Sequence, residues 1–462
     1  MSFFFCSYGA AMEVTGSTHL FEINNHKILI DCGLFQGKRI PSEEKNRKFQ
    51  FNPEEIEAVI LSHGHCDHSC RLPYLSSRGF EGNIFATPAT RDIAGLVMAD
   101  TAHILQKDFE WLKKKKVDYP YPPLYSIKDV LKVLDQFVTI SYRRTFPVID
   151  GVKCTFYNAG HILGSSMPLL DVGDNKRIAF TGDLGRKGTP IIHDPEYLPP
   201  VDYLICEATY GNRLHDPIED ACRQLTTVIK ETVEKGGKII IPAFAVERTQ
   251  DLIYYLYLLN DERKIPKIDI FVDSPMAFNA TSIFRVHQEC YDDNVHEQFL
   301  IQNKNPFGFE NLHYITNVEE SKKLNEYNKP CIIISSSGMC EAGRILHHLK
   351  NNVEDPRNTI LIVGFMAADT LGRRIVEKQP EIKIFGQPYK LNARVKVLNT
   401  FSAHADYNDT IDFIKHLDLN RLKKVFLIHA EPDSLEAMKT HLLDNGVKEV
   451  QIVEPEVKYE LF

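Results

Sequence analysis

The chain has 462 residues, of which 43% are hydrophobic and 25% are charged, as in ordinary globular proteins. This length exceeds that of one typical domain, so we expect two or three domains and a core that needs no disulfide bonds. The net charge of −8 argues against a general nucleic-acid binder. No apolar run approaches the roughly 20 residues that cross a bilayer, which excludes a membrane-spanning protein.

The first eight residues carry no cationic start, and we expect them to form a first strand instead of a signal peptide. The ten cysteines are scattered, without the spacing of a zinc ribbon or a redox pair. Free thiols are typical of a reducing compartment, so the expected location is the cytoplasm.

Four side chains that can bind metals lie in the stretch HGHCDH at residues 63–68, directly after the apolar run 57–62. This run predicts a buried strand, so the four side chains follow the point where a strand ends. Imidazole and carboxylate are common zinc ligands. His63 and His65 can point one way while Asp67 and His68 point another, which offers ligands for two metals. The alternative is a histidine-rich surface loop.

A run of four lysines at residues 113–116 ends a predicted helix that starts near Asp100. Cations at this end of a helix complement its dipole. A solvated helix end is therefore favoured over a contact with substrate.

Three later strand-like runs are each followed by a residue of ligand type, namely His161, Asp183 and His429. Ligands at the ends of neighbouring strands can converge on one rim of a sheet. Each residue alone would more often be structural. Together with the cluster at 63–68 they predict a shared metal site.

His429 follows Asp183 by far more residues than a loop contains, so a folded insertion must intervene. Strand-like runs alternate there with helical segments near residues 247–259, 277–290, 341–350 and 371–378. Such alternation predicts a mainly parallel sheet covered by helices. We expect domain boundaries that divide the chain into residues 1–207, 208–389 and 390–462.

Three turns in the insertion, near residues 242–248, 335–339 and 364–374, each follow a strand and precede a helix. Backbone amides at such turns form anion sites. Such turns are common in proteins, so each one alone is weak evidence for a phosphate contact. The candidate phosphate contacts are Ser337, Gly338, Arg248, Arg344 and Arg373.

In sequence order these motifs resemble those of the metallo-β-lactamase superfamily and, within it, the β-CASP nucleases. Asp31, the stretch 63–68, His161 and Asp183 match the superfamily motifs. Residues 206–211, 401–406 and 428–431 match the three β-CASP motifs, with small substitutions at Ala208 and Ala430. The resemblance covers nearly the whole chain.

The resemblance implies a fold and a metal centre. The fold is a four-layer αββα sandwich with an inserted α/β β-CASP domain. The metal centre contains two zinc ions. The first ligand group is His63, His65 and His161, the second ligand group is Asp67, His68 and His429, and Asp183 bridges the two.

Three further residues near these ligands have expected roles. Asp31 would hold the ligands in orientation by hydrogen bonding, and the alternative is a turn carboxylate. Cys66 and Cys70 are expected to pack instead of binding zinc.

The resemblance further implies a ribonuclease that hydrolyses RNA phosphodiester bonds by a two-metal hydroxide mechanism, leaving 5′-phosphate and 3′-hydroxyl ends. His404 would protonate the leaving 3′ oxygen, Glu207 would orient His404, and Asp183 would also serve catalysis. Endonuclease action is favoured over 5′-exonuclease action. The expected partner is single-stranded RNA, no membrane is involved, and a homodimer is left open.

Two other classes of function stay open. One is a dinuclear zinc hydrolase that acts on DNA or on a small thioester, lactam or phosphodiester. The other is a non-catalytic scaffold subunit, which is disfavoured because no ligand is missing. RNA is favoured over DNA because histidine at the position of His429 accompanies the RNA-processing members of the family.

Overall fold

The computed structural model describes residues 3–302, 304–364, 366–367 and 370–462. The strands in chain order are β1 (Phe3–Gly9), β2 (Thr18–Ile23), β3 (His26–Ile30), β4 (Ala58–Ile60), β5 (Asn83–Ala86), β6 (Phe137–Thr139), β7 (Thr145–Ile149), β8 (Val152–Asn158), β9 (Ser166–Asp171), β10 (Arg177–Phe180), β11 (Tyr203–Glu207), β12 (Ile239–Pro242), β13 (Asp269–Asp273), β14 (Leu312–Tyr314), β15 (Cys331–Ser335), β16 (Thr359–Ile362), β17 (Glu381–Ile384), β18 (Gln387–Lys390), β19 (Arg394–Val397), β20 (Lys424–Ile428), β21 (Val450–Ile452) and β22 (Lys458–Glu460).

The helices in chain order are α1 (Arg39–Arg47), α2 (Cys66–Ser69), α3 (Leu72–Ser77), α4 (Pro88–Lys114), α5 (Ile127–Leu134), α6 (Asp220–Val233), α7 (Arg248–Asp261), α8 (Pro275–Val286), α9 (Asp293–His296), α10 (Val318–Lys323), α11 (Ile345–Asn352), α12 (Leu371–Val376), α13 (Tyr407–Lys415) and α14 (Pro432–Asp444). Within the described ranges, no helix combines the length and apolar character needed to span a bilayer.

The chain forms two compact units. The first unit comprises Met1–Lys187, His193–Leu214 and His404–Phe462, and the second comprises Gly188–Ile192 and His215–Ala403. These limits differ from the predicted boundaries at 207 and 389. The chain returns to the first unit at His404, later than the predicted residue 390. The reason is that β19 pairs in parallel with β16 and so extends the sheet of the second unit.

The first unit contains two mixed sheets. One has the strand order β22-β1-β2-β3-β4-β5-β6 and the other the order β21-β20-β11-β10-β9-β8-β7. Within the second sheet, β10, β11, β20 and β21 are parallel neighbours. Their carboxyl ends therefore lie along one rim.

The two sheets face each other across an aromatic core. Strand β8 shows the alternation that builds it, since Val152, Cys154 and Phe156 are buried while Lys153 is exposed. Phe5 of β1 packs edge-on against Phe426 of β20, with ring centroids 5.7 Å apart. Burial of such apolar surface is the dominant force that holds the sheets together.

Helices cover the outer faces of both sheets. On one side, α13 and α14 share an apolar cluster with β9, β10, β11 and β20. On the other side, α4 contacts β6, and α5 packs against α3 and α4. These layers confirm the predicted αββα sandwich.

Helix α4 begins well before its predicted start near Asp100, so that prediction is wrong. Thr87 caps the helix by accepting the amide of Thr90, and Pro88 occupies the first turn. These are common features of a helix start. The lysine run coincides with the helix end as expected, since the helix ends at Lys114.

The second unit is built on a sheet of strand order β14-β13-β15-β12-β16-β19. All of its recorded strand pairs are parallel. Its strands β12, β15 and β16 are almost continuously apolar, as expected for strands buried on both faces. The sheet confirms the predicted α/β insertion.

Replacement of Phe156 with Ala tests the core between the sheets. The side chain is 0% exposed, so its loss should reduce the free energy of unfolding by about 3–5 kcal/mol. Lys153→Ala, on the solvent side of the same strand, should change it by less than about 0.5 kcal/mol. Urea denaturation measures both values. Equal effects of the two variants would contradict the assigned core.

Candidate metal centre

The predicted ligands follow strands of the first unit. His63 and His65 lie in the turn between β4 and α2, and Asp67 and His68 lie on α2. The remaining three follow strands of the second sheet: His161 follows β8, Asp183 follows β10 and His429 follows β20. Because β10, β11 and β20 are parallel neighbours, Asp183 and His429 reach the same rim as Glu207, which ends β11.

The first ligand group converges on one point. His63 Nε2 and His161 Nε2 lie 3.1 and 3.3 Å from His65 Nδ1. Asp183 Oδ2 lies 3.4 Å from the Nε2 atoms of both His63 and His161. These four ligand atoms are all within 4.8 Å of one another.

The second ligand group forms a similar cluster beside it. His68 Nε2 and His429 Nε2 are 3.2 Å apart, and Asp67 Oδ2 lies 3.7 Å from His429 Nε2. Asp183 Oδ1 lies 3.3 Å from His68 Nε2. Asp183 therefore presents one oxygen to each group, as expected of a bridging carboxylate.

The chemistry of these donors fits a pair of metal ions. His68 donates its Nδ1–H to Asp31 Oδ2 at 2.7 Å, so in the neutral imidazole the lone pair lies on Nε2, the atom that faces His429. Asp183 Oδ1 is buried and accepts no hydrogen bond from the described residues. Buried acceptors without a donor are costly, and a cation would satisfy these acceptors together.

In the first ligand group and at Asp183, electrostatics favour the protonation states that bind metals. Burial lowers the pKa of His63, lowers that of His65 to about 3, and lowers that of His161 well below its usual value. Burial opposes ionisation of Asp183, but the neighbouring imidazoles of His429 and His68 hold its pKa well below the usual range. Neutral imidazoles and an ionised carboxylate are the coordinating forms.

The centre stabilises positive charge. Burial alone would lower the pKa of His68, yet the carboxylates of Asp183 and Asp31 raise it well above its ordinary value. A buried cluster that draws in a proton in this way also favours a metal cation.

One carboxylate orients a histidine in each ligand group. Asp31 accepts the Nδ1–H of His68 directly, and it accepts the Ser62 hydroxyl at 2.8 Å and the Ser62 amide at 2.8 Å. Ser62 Oγ lies 3.0 Å from His63 Nδ1. Because the Ser62 proton goes to the carboxylate, Ser62 Oγ accepts the Nδ1–H of His63, which leaves His63 Nε2 as the ligand atom.

His404 lies beside the first ligand group, with its ring centroid 4.5 Å from that of His161. Its Nδ1 donates to Glu207 Oε1 at 3.0 Å. Burial lowers the pKa of His404, but the Glu207 carboxylate and the nearby Asp183 and Asp67 together raise it to about 9. The Glu207 carboxylate thus favours the protonated imidazole, which is the form that can act as an acid.

The two cysteines near the ligands pack against one threonine. Cys66 Sγ and Cys70 Sγ lie 3.9 and 3.5 Å from Thr101 Oγ1. Neither sulfur belongs to a ligand cluster within the part of the chain that the structure describes.

The predicted phosphate contacts lie in the second unit, where each arginine already has a carboxylate partner. Arg344 donates to Asp273 at 2.6 Å and to the carbonyls of residues 315 and 316. The Arg248 and Arg373 guanidinium groups pair with Asp251 and Glu377 at 3.1 and 2.7 Å.

The turn at 335–339 differs from its prediction, because α11 begins only at Ile345 and Arg344 immediately precedes it. Ser337 Oγ accepts the amides of residues 341 and 342, and the Phe244 ring lies against Gly338. In the third turn, Phe365, Ala368 and Asp369 lie outside the described residues.

Two site residues were not anticipated from sequence. They are Ser62, which contacts His63, and Thr209, whose Oγ1 lies 3.1 Å from His429 Nδ1. Ser62 directly precedes the HGHCDH stretch, and Thr209 lies two residues after Glu207. The signal that could have pointed to them is their position, beside one motif for Ser62 and inside another for Thr209.

Family models match three parts of the chain. A β-CASP domain matches residues 249–375, a Zn-dependent metallo-hydrolase RNA specificity domain matches residues 388–453, and a metallo-β-lactamase superfamily domain matches residues 20–180. Together they span both units.

Similar proteins are found in bacteria, archaea and fungi. Ribonuclease TTHA0252 of Thermus thermophilus is 34% identical over 93% of this chain and 94% of its own length. Transcription termination factor FttA of Methanosarcina mazei is 33% identical over 92% of this chain and 66% of its own. Endoribonuclease YSH1 of Yarrowia lipolytica is 30% identical over 96% of this chain, which spans about half (52%) of that protein.

A crystal structure of a protein of unknown function from Enterococcus faecalis also has this fold. It aligns over 100% of both chains with a TM-score of 0.61 and 12% identity, a likeness of fold alone. With the matched domains and a relative as similar as the Thermus ribonuclease, the chain belongs to the β-CASP family of the metallo-β-lactamase superfamily and is a hydrolase.

Proposed function

We propose that this protein is a zinc-dependent ribonuclease of the cytoplasm that cleaves single-stranded RNA endonucleolytically, leaving 5′-phosphate and 3′-hydroxyl ends. The observation that carries the proposal is the placement of Asp183 between two ligand groups, with His404 held by Glu207 beside them. Relatives named ribonuclease and endoribonuclease support RNA as the substrate.

Phosphodiesters resist hydrolysis because the phosphate repels nucleophiles and the alkoxide is a poor leaving group. One zinc ion would be held by the first ligand group and one by the second, with Asp183 shared. When bound, such a pair lowers the pKa of water and offsets negative charge on the phosphoryl oxygens.

The protein itself supplies the proton for the leaving group. Because His404 donates its Nδ1–H to Glu207, its Nε2–H is the proton intended for the 3′ oxygen. Glu207 also accepts the amide of Leu184 at 2.7 Å, which fixes the carboxylate and therefore the imidazole. Protonation of this oxygen gives the 3′-hydroxyl end.

Substrate phosphates would be bound by the second unit despite the net charge of −8, because local charge decides attraction. The proposed contacts are the turn at Ser337 and Gly338, and the guanidinium groups of Arg248 and Arg373. Arg344 is held by Asp273 and by two carbonyls, so its proposed role is to support the Ser337 turn.

Asp31→Ala should weaken zinc binding about 10–100-fold, because a histidine in each ligand group loses its orienting partner. Competition with a chromophoric chelator measures the affinity. The control is Asp171→Ala, which removes a half-exposed carboxylate at the end of β9 and should leave the zinc affinity unchanged. Unchanged zinc affinity in the Asp31 variant would contradict the assigned role.

His404→Ala should reduce the rate of RNA cleavage about 10²–10⁴-fold, because the leaving oxygen loses its acid. Both zinc ions should stay bound, since His404 belongs to neither ligand group. His416→Ala, on the exposed end of α13, should retain full activity. Elemental analysis and cleavage of a labelled RNA decide the outcome. The role of His404 as the acid would be refuted if the His404→Ala variant still cleaved RNA or if it lost its zinc.

A circular single-stranded RNA should be opened by the zinc-loaded protein, because only an endonuclease can cut a substrate without ends. Linear single-stranded DNA and a chromogenic lactam should not react. Gel electrophoresis and absorbance provide the readouts. Cleavage of linear RNA alone would indicate an exonuclease, reaction of the lactam would indicate a small-molecule hydrolase, and absence of any reaction would favour a scaffold.

A further inference from the structure

Thr209 is held firmly next to the second ligand group. It lies in the turn after β11, where the preceding amide of Ala208 donates to the carbonyl of Ile428 at 3.0 Å. From the other side, the hydroxyl of Ser434 donates to the Ala208 carbonyl at 2.7 Å. The turn is thereby anchored to both ends of the segment that carries His429.

The Thr209 hydroxyl contacts His429 twice. Its Oγ1 lies 2.9 Å from the His429 carbonyl oxygen and 3.1 Å from His429 Nδ1. A hydroxyl has one proton, and a carbonyl can only accept, so Oγ1 donates to the carbonyl and accepts the Nδ1–H. Asp183 Oδ1 lies 3.7 Å from the same nitrogen, beyond hydrogen-bond distance.

This arrangement fixes which nitrogen of His429 binds metal. With the proton on Nδ1, His429 Nε2 carries the lone pair, and this atom faces His68 Nε2 and Asp67 Oδ2. The nitrogen that is not protonated is the one that can ligate.

Thr209 also supports an unusual backbone conformation. His429 has φ = 55°, in the left-handed region that side-chain-bearing residues seldom adopt. Its amide donates to the Ala10 carbonyl at 2.7 Å, and its own carbonyl accepts the Thr209 hydroxyl. Thr209 therefore forms hydrogen bonds with both the ring and the backbone of His429.

We propose that Thr209 is a positioning residue that sets the tautomer and ring angle of His429 and thereby the zinc affinity of the second ligand group. The proposal rests on the metal pair of the proposed function. The first ligand group does not depend on Thr209, because its His63 is oriented by Ser62 and Asp31. The two ligand groups thus have separate hydroxyl partners.

Thr209→Val tests this proposal, because valine has the shape of threonine but has no hydroxyl. In the full chain, the dissociation constant of one of the two zinc ions should rise about 10–100-fold, while the other ion keeps its wild-type affinity. Thr209→Ser restores the hydroxyl and should restore the affinity. The readouts are zinc content after dialysis against graded chelator and competition with a chromophoric chelator.

The matched control is Thr410→Val, which removes another threonine hydroxyl of the first unit that donates to a backbone carbonyl, that of Asp406 at 3.0 Å. Both zinc affinities should match wild type. Thermal unfolding of all variants in excess chelator reports on stability without metal. Thr209→Val and Thr410→Val should have similar melting temperatures there.

Two results would overturn the proposal. Thr209→Val could bind both zinc ions with wild-type affinity, or it could weaken both equally together with a lower melting temperature in chelator, which would indicate a purely structural role. If the wild-type protein itself bound no zinc, the proposed function would fail instead. The two failures are therefore distinguishable.

Discussion

A single buried carboxylate, Asp183, must lie between five imidazoles and Asp67 without leaving uncompensated charge. Its two oxygens face different ligand groups, and its burial is compensated only if positive charge lies on both sides. This requirement explains the architecture around it. Strands from two sheets end at one rim, and the five histidines arrive there from three separate places in the chain.

The orientation of these ligands depends on hydrogen bonds behind them. Asp31 reaches one histidine in each group, directly for His68 and through Ser62 for His63. Similarly, the turn after β11 serves two functions, because Glu207 orients His404 and Thr209 contacts His429. The Thr209 amide also donates to Glu207 at 3.2 Å, so His404 and His429 share one support.

Much of this was predictable because motif residues and strand patterns are local in sequence. The inserted parallel sheet and a shared rim for the ligands were expected from apolar runs that end in ligand residues, and the sandwich was implied by the resemblance of the motifs to those of the β-CASP nucleases. Distant partners to which the motifs assign no role were not predictable. Arg344 pairs with Asp273, which lies 71 residues away, and Thr209 meets His429 across 220 residues. The start of α4 was placed too late, because the capping by Thr87 was not taken into account.

The order in which the ligands occur along the chain has a consequence for synthesis. His429 and the strand that carries it come after the whole inserted unit, and β20 lies beside β11 within the second sheet. A nascent polypeptide therefore leaves the ribosome with its second ligand group incomplete until the last segment has emerged and paired. If hydrolysis requires the proposed metal pair, the enzyme gains activity only after this last segment has paired.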